Sequence, residues 1–528
     1  MNTTGTSTGF GENASFPLMM VSLALSLVGQ AFYFNQKEPR IWNTVSPKVI
    51  KASGNVWREV FGKEVEVEAQ AESIKKKRDS GLVKTYTWAE VNKHNTKEDL
   101  WLVIDGGAYD VTSFVDRHPG GYRPLLHMAG RDATDVMAEY HPANVYEKML
   151  PKFFKGDVVD YQVSDLLADY RAIRQGLLSR GLFETSKGYY YAKYVWLASI
   201  FIPSICGVVY SSSSTVHMLC ALGLALFWQQ LAFVGHDLGH SSVSHCRTTD
   251  YYWGSMFGNV LGGISLYWWK LSHNTHHVTC NSVEHDPDIQ HLPVFAITNK
   301  LFGRFYSSFH HRYFETDAIA RFLVSYQHYL FYPIMGLARF NLYIQGWILL
   351  FTPNEPVPFR NMQFVTMAIF PMWIGYLLSF LPSWEERIAF LLLSHFFAGV
   401  LHVQITISHF SMDTFHGHHT EDWIRHQMAT TMNVSCPTWM DWFHGGLQFQ
   451  LEHHLFPRLP RHNLRVARGQ VLLLAEKYHL NYVEDDFINA NIRTLTIMKK
   501  TALEARKLKK GNAGFYESAL FDGLNAQG

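Results

Sequence analysis

The stretch Trp268-Trp269-Lys270-Leu271-Ser272-His273-Asn274-Thr275-His276-His277 decides how the rest of this chain is read. Histidines at i, i+3 and i+4 project from one face of a helix, so three imidazoles can turn toward one point. With 28 histidines in 528 residues, a His-x-x-His-His triplet arises by chance in only about one such sequence in ten. Outward from it lie His236-Asp237-Leu238-Gly239-His240 and Gln450-Leu451-Glu452-His453-His454. A His-x-x-x-His pair alone carries little weight, since that spacing recurs by chance roughly once or twice in such a chain. Together the three clusters offer seven imidazoles and no cysteine, held apart by long apolar stretches. They point to a non-haem metal site, at a membrane, acting on lipid.

Two further histidine groups read differently. His310–His311 has no partner one helical turn away, and His416-Gly417-His418-His419 is broken by glycine in a polar loop. Both are expected to face solvent or to support ligands from behind. The five cysteines (Cys206, Cys220, Cys246, Cys280, Cys436) form no C-x-x-C pair and read as dispersed free thiols. A 47% hydrophobic and 15% aromatic composition suits a membrane protein with soluble parts, and a net charge of +1 gives no argument for nucleic-acid binding.

Apolar segments of near-spanning length lie at 16–34, 194–210, 216–235, 363–381 and 388–408. The aromatic run 330–351 contains Arg339 and Asn341, which predicts an interfacial or re-entrant segment there. The stretch 255–269 is too short to cross and is expected at the surface. Positive flanks orient the chain: Glu12 precedes the first segment, while Lys37, Arg40, Lys48 and Lys51 follow it. Lys187 and Lys193 precede the second, Arg247 follows the third and Arg360 precedes the fourth. This places 35–193, 236–362 and the region after 408 on the cytosolic side, so all three clusters share one face. The first segment reads as an uncleaved anchor, because the residues before it carry no positive charge; a cleaved signal peptide is the alternative. Residues 51–80, with Lys75–Lys76–Lys77–Arg78, read as a solvated linker.

Residues 84–160 change character. Trp101–Leu102–Val103–Ile104 reads as a buried strand, Asp105–Gly106–Gly107 as a tight turn and Tyr109–Asp110–Val111 as the returning strand. His118-Pro119-Gly120-Gly121 follows, then Leu125, Leu126 and Met128 at helical spacing, and His141 lies 23 residues after His118. Two histidines on separate helices with an apolar wall between them can clamp a haem from both faces. An iron with two protein ligands has no open position, so such a haem carries electrons. With Asp110–Val111–Thr112 and Gly130–Arg131–Asp132–Ala133–Thr134, the module resembles cytochrome b5, which implies that His118 and His141 are the axial ligands of a haem b.

A soluble di-iron oxygenase would supply two Glu-x-x-His motifs, whereas this chain has one, Glu476 to His479, outside the clusters. Imidazole alone does not choose among iron, zinc, copper and nickel. The neighbouring electron carrier favours a metal that must be re-reduced at each turnover. His236–His240, His273–His276–His277 and Gln450–His453–His454 are similar to the three histidine boxes of membrane fatty-acyl desaturases. A glutamine opening the third box, behind a cytochrome b5 domain, resembles the front-end desaturases. Trp268–Trp269–Lys270, Asp286–Pro287–Asp288 and Asp441-Trp442-Phe443-His444-Gly445-Gly446-Leu447 agree with that pattern, and the likeness runs from about 84 to 485.

The resemblance implies an all-α membrane domain with a histidine-box di-iron site, preceded by a small α+β cytochrome b5-like haem domain. The chain then divides into an anchor and polar linker (1–83), the haem-binding domain (84–160) and the desaturase domain (161–528). It implies two non-haem irons, O2 as co-substrate, and electrons ultimately from NADH through NADH-cytochrome b5 reductase. The expected site is an endoplasmic reticulum membrane, with haem domain and boxes toward the cytosol. The seven box histidines are the expected ligands. His409 is a further candidate at the end of the last span, and Gln450 a ligand or a support for one. His402, two turns before His409, is expected to pack or to lie near substrate. Val278–Glu284 with His285–Asp286–Pro287–Asp288, and Phe449 through Pro460, are most similar to the sphingolipid Δ8 group. Acyl-lipid Δ6/Δ5 enzymes share much of that pattern. A cytochrome b5-fused hydroxylase and a histidine-rich metal transporter stay as alternatives, the first disfavoured by Gln450 and the second by the haem module.

Overall fold

The computed structural model describes residues 83–508, apart from 354 and 420–421. The apolar segment 16–34 and the linker 51–80 lie outside the described residues. Two compact units meet between Ser164 and Asp165.

In the first unit a five-stranded sheet runs in the order β1-β5-β4-β3-β2, with β1 (Lys84–Tyr86), β2 (Asn95–Thr96), β3 (Asp99–Ile104), β4 (Gly107–Asp110) and β5 (Phe154–Val158). Asp105 and Gly106, both at positive φ, turn β3 directly into antiparallel β4. Two positive-φ residues match the right-handed twist of the strands they join, which is why Asp-Gly serves here. Leu100, Leu102 and Ile104 face a core shared with Val111, Val115, Ala129 and Ala133. Helices α1 (Tyr122–His127) and α2 (Thr134–Tyr140) fold onto this core.

In the second unit five helices are long and apolar enough to cross a membrane: α3 (Lys187–Tyr210), α4 (Ser214–Gly239), α6 (Gln327–Phe351), α7 (Arg360–Ser379), and Trp384–Thr406, built from α8 (Trp384–Ala398) and α9 (Val400–Thr406). Helix α5 (Leu266–Thr279) lies between α4 and α6 in sequence. After α9 come α10 (Trp423–Thr430), α11 (Gln450–Leu455) and α12 (Phe487–Ala505). Leu219, Val365, Met372 and Ile388 stand exposed on the long helices, the outward apolar surface of a lipid-facing bundle.

One expectation is corrected. The run 330–351 forms part of the continuous 25-residue helix α6, long and apolar enough to cross a membrane. Its Arg339 is 1% exposed, and inside the bundle it donates to the Tyr343 hydroxyl (2.7 Å) and the Gly262 carbonyl (2.6 Å) and lies over the Trp228 ring. Hydrogen bonds and a cation–π contact offset the desolvation that a sequence reading counts against a span. The stretch 255–269 is not at the surface. Met256–Leu261 forms a π-helical turn with Phe257, Val260 and Leu261 buried. Its irregular carbonyls are taken by Trp228 Nε1 (to Leu261, 3.0 Å) and Trp373 Nε1 (to Val260, 2.8 Å). Non-helical backbone is stable within such a bundle only when protein groups satisfy it in this way.

Candidate functional site

In the first unit His118 follows a 3-10 segment (Thr112–Arg117) and His141 caps the C-terminus of α2. Each ring is held by its own neighbourhood: His118 Nδ1 donates to the Gly121 carbonyl (2.7 Å) and His141 Nδ1 to the Met137 carbonyl (3.1 Å). A proton fixed on Nδ1 leaves Nε2 as the lone-pair nitrogen, the form an iron ligand needs. The ring centroids stand 5.8 Å apart. Metal–nitrogen bonds of about 2 Å on either side of one ion give a centroid separation of about 6 Å. The two rings and the apolar wall around them fit a haem.

In the second unit the three clusters converge. His236 lies in the last turn of α4 and His240 at its C-cap, while α5 carries His273, His276 and His277 on one face. Ser265 caps α5 by accepting from Trp268 N–H (3.3 Å). Gly239, inside the first cluster, lies against the Trp269 ring, where any Cβ would collide. That close approach lets α4 and α5 bring their histidines together. Gly445 does the same for the third cluster: at φ +59° it turns the chain against Phe233, one turn before His236, and a side chain there would strike that ring.

The seven histidines and His409 form one buried, nearly continuous cluster. The ligand atoms of His236, His240, His273 and His453 all lie within 4.8 Å of one another. His277 joins them, its ring 4.8 Å from His453 and 5.0 Å from His240. On the other side His454 stacks on His277 at 4.0 Å, His276 is 5.0 Å from His454, and His409 is 4.7 Å from His276 and 4.8 Å from His454. Gln450 Nε2 lies 3.3 Å from His409 Nε2 and 3.4 Å from His454 Nε2. His310–His311 and His416–His419 stay outside: His311 is exposed, and His416 pairs with Glu284 (2.7 Å). His402 bonds the Met335 carbonyl and also lies outside the cluster.

Donor chemistry fits metal binding. His236, His240 and His453 each bury an Nε2 that has no hydrogen-bond partner among the described residues. His273 and His277 face each other through Nε2 atoms 3.0 Å apart. Two nitrogens on one ion at about 2.1 Å and roughly right angles lie about 3 Å apart. Burial and crowding by neighbouring imidazoles push His240, His273, His277, His453 and His454 well below the usual histidine value, which keeps their lone pairs available. These inward-facing nitrogens thus suit a cation and would repel one another without it.

Behind the cluster a ring of residues sets tautomers. Asp286 accepts from His276 Nδ1 (3.0 Å), Gln427 Oε1 from His454 Nδ1 (2.8 Å) and the Thr430 carbonyl from His409 Nδ1 (3.1 Å). Burial depresses His276, but Asp286 and Asp288 outweigh it and push the group up to about 9. Cys280 Sγ approaches His409 on the same Nδ1 side (3.4 Å), so it backs the ring rather than facing the cluster. Glu452, inside the third cluster, turns its carboxylate to Asn433 (2.7 Å) and Tyr482 (2.9 Å). Asp237 accepts from buried Arg461 (2.5 Å) and from the Tyr190 hydroxyl (2.5 Å), tying the first cluster to the chain just past the third. Asp237 and Asp286 were visible beside the histidines; Gln427, 27 residues from its partner, left no local signal.

A sequence profile of the fatty acid desaturase family matches residues 212–485, and one of the cytochrome b5-like heme/steroid binding domain matches 87–159. The chain belongs to the fatty acid desaturase family. It is 44% identical over 428 residues to a Delta(8)-fatty-acid desaturase of Helianthus annuus, covering 80% of this chain and 93% of the relative. It is 40% identical over 431 residues to an acyl-lipid (9-3)-desaturase of Borago officinalis, covering 81% and 96%. It is 36% identical over 388 residues to a Delta 8-(E)-sphingolipid desaturase of Komagataella phaffii, covering 72% and 70%. This protein is therefore an integral membrane oxidoreductase, a front-end lipid desaturase with a cytochrome b5 domain fused ahead of it. The family sets aside the transporter reading.

Proposed function

We propose that the desaturase inserts a double bond at the Δ8 position of the sphingoid chain of ceramide. The observation that carries the catalytic assignment is the convergence of the seven box histidines, His409 and Gln450 in one buried cluster. The substrate choice is supported by relatives described as Δ8 and sphingolipid desaturases. The acyl-lipid relative keeps an acyl-lipid Δ6/Δ5 substrate as the second reading.

His236, His240, His273 and His453 would hold one iron, with His276, His409 and His454 holding the other and His277 between them. Gln450 either donates to the lone pairs of His409 and His454 or, with its amide turned over, offers Oε1 to the same ion. Bound iron would supply O2 activation and the oxidant for two neighbouring methylene hydrogens. The chain's own residues do the rest. Asp286, Gln427 and the Thr430 carbonyl hold the Nδ1 protons and keep three Nε2 atoms turned inward. Buried aromatic and aliphatic neighbours exclude water. His118 and His141 would hold haem b as the electron donor, re-reduced from NADH through NADH-cytochrome b5 reductase. Charge flanks support an orientation with both sites toward the cytosol, in what we propose is an endoplasmic reticulum membrane.

Lipid analysis of yeast expressing the full chain tests this, with double-bond positions determined in sphingoid bases and acyl chains. A new sphingoid Δ8 bond is the expected product. New bonds only in fed C18 polyunsaturated acyl chains would move the enzyme to the acyl-lipid class.

A further inference from the structure

We propose that Trp439–His444 is a hook that dips back into the bilayer, held there by Gln229, Gln230 and Gln404, so that the third histidine cluster hangs from a segment seated in lipid. The sequence reading puts the chain after 408 on the cytosolic side, and Thr438-Trp439-Met440-Asp441-Trp442-Phe443-His444 is far too short to announce itself as a span. Partners from three different apolar segments (194–210, 216–235 and 388–408) fix its depth. The Trp442 carbonyl accepts from Gln230 Nε2 (3.0 Å), and the Phe443 carbonyl from Gln229 Nε2 (3.0 Å) and Gln404 Nε2 (2.9 Å). The Trp442 ring meets Trp196 of α3 edge to face, with centroids 6.4 Å apart.

These partners agree on one level. Gln230 and Gln229 precede His236 on α4 by six and seven residues, which puts them about 9–10 Å from the first cluster, toward the middle of that span. Gln404 precedes His409 by five residues, about 7–8 Å along the last span in the same sense. Helix α3 runs antiparallel to α4, with Tyr190 bonded to Asp237 beside the cluster and Phe201 packed on Phe227 at 4.6 Å. Trp196 lies six residues past Tyr190, again about 9 Å from the cluster level. The hook therefore sits on the membrane side of the histidines, although the chain that carries it belongs to the region after the last span.

Its backbone is satisfied as that depth requires. The four-residue helix Asp441–His444 leaves its carbonyls short of partners, and Gly445 (φ +59°) and Gly446 (φ +102°) then turn the chain toward Gln450. Lipid supplies no donors, so protein groups must. Gly445 N–H bonds the Asp441 carbonyl (2.9 Å), and the three buried glutamines take the next two. Their amides are linked in series, Gln230 Nε2 donating to Gln229 Oε1 (3.0 Å) and Gln229 Nε2 to Gln404 Oε1 (2.9 Å). A carbonyl only accepts, which fixes each amide with its nitrogen toward the hook. The hook's carboxylate, Asp441, is paired with Arg465 (2.5 Å). Outward, Trp439 is 71% exposed, Trp442 42% and Trp196 40%, an edge continuous with the exposed Tyr191 and Val195 of α3. Tryptophan favours the membrane–water boundary, where its ring meets acyl chains and its N–H meets headgroups. The bilayer is the occupant this edge fits, because it continues the outward face of a span.

The test puts one thiol-linked, environment-sensitive fluorophore on the full chain in phosphatidylcholine vesicles. The label is carried by Trp439→Cys in a Cys246→Ser background, Cys246 being an exposed native thiol, and the same background without an added cysteine is subtracted. Two reference positions bracket the result: Met372→Cys on the outward face of α7, and Glu476→Cys on the exposed surface past the third cluster. The label at 439 is expected to be quenched by bromine on the phospholipid acyl chains and shielded from iodide in the water, as at 372, with the reverse at 476. Gln230→Leu removes the donor to the Trp442 carbonyl, so in that chain the label at 439 is expected to lose lipid quenching and gain iodide quenching. Iodide quenching without lipid quenching at 439 in the otherwise native chain overturns the proposal. So does quenching by neither, the result if a second copy or another protein segment covers the edge. Unchanged lipid quenching in Gln230→Leu overturns the glutamines as what holds the hook.

Discussion

The haem-type unit and the membrane unit each orient histidines through Nδ1, but they draw on different partners. His118 and His141 lean on carbonyls three and four residues away. His276, His454 and His409 lean on Asp286, Gln427 and Thr430, which are 10, 27 and 21 residues away. The first arrangement is complete once a short segment folds. The second exists only after several helices have packed. Damage to the first should therefore stay local, whereas damage to the second should spread from one support to the whole cluster.

The largest contrast comes from the ligands themselves. His273→Ala is expected to lower desaturation by about a hundredfold or more and to reduce bound iron, while the Soret absorbance of the haem unit stays unchanged. His118→Ala should do the reverse. It should remove the Soret band, retain iron, and still lower desaturation about tenfold or more with free cytochrome b5 present, because tethering supplies a high effective concentration. Full activity in that variant would show the fused haem to be dispensable and break the comparison.

Smaller changes sharpen it. Gln427→Leu leaves every candidate ligand in place but frees the His454 ring to rotate, and is expected to cost about 10–100-fold in activity or iron affinity. Wild-type iron binding and rate in this variant would count against an orienting role. Arg461→Met strands the buried Asp237 carboxylate, with an expected loss of about 3–5 kcal/mol of stability measured by thermal unfolding in detergent.

The smallest effect concerns pH. Burial pushes buried Asp250 up to about 6, against opposing hydrogen bonds from Ser244, compared with an ordinary value of 3.8. The folded state then holds more protons than the unfolded state between those two values. Stability should fall as pH rises from about 4 to about 6, by on the order of 3 kcal/mol for this group. Asp250→Asn should flatten that slope in a series of melting curves.

Much of the bundle was legible because a span announces itself by composition. The segments 194–210 and 216–235 fall within long helices, and 363–381 and 388–408 overrun theirs by two residues each. The run 330–351 lies in a continuous helix in which the fold offsets the cost of a buried cation. Arg339 looks forbidding in a string, but Tyr343, Gly262 and Trp228 take up its charge in three dimensions. The stretch 255–269 was misread because satisfaction of its carbonyls by Trp228 and Trp373 comes from helices distant in sequence.

By itself, the amino-acid order determined which residues could serve as ligands and that two kinds of site were present. Helical spacing places side chains on a common face before any packing occurs. It also determined the Asp105–Gly106 turn, since positive φ is a property of the local backbone. Only the tertiary structure decided that His409 and Gln450 stand with the boxes and that Glu452 turns away. Those outcomes depend on which helix faces which, and hydrogen-bond partners tens or hundreds of residues apart leave no periodicity in the chain to be read.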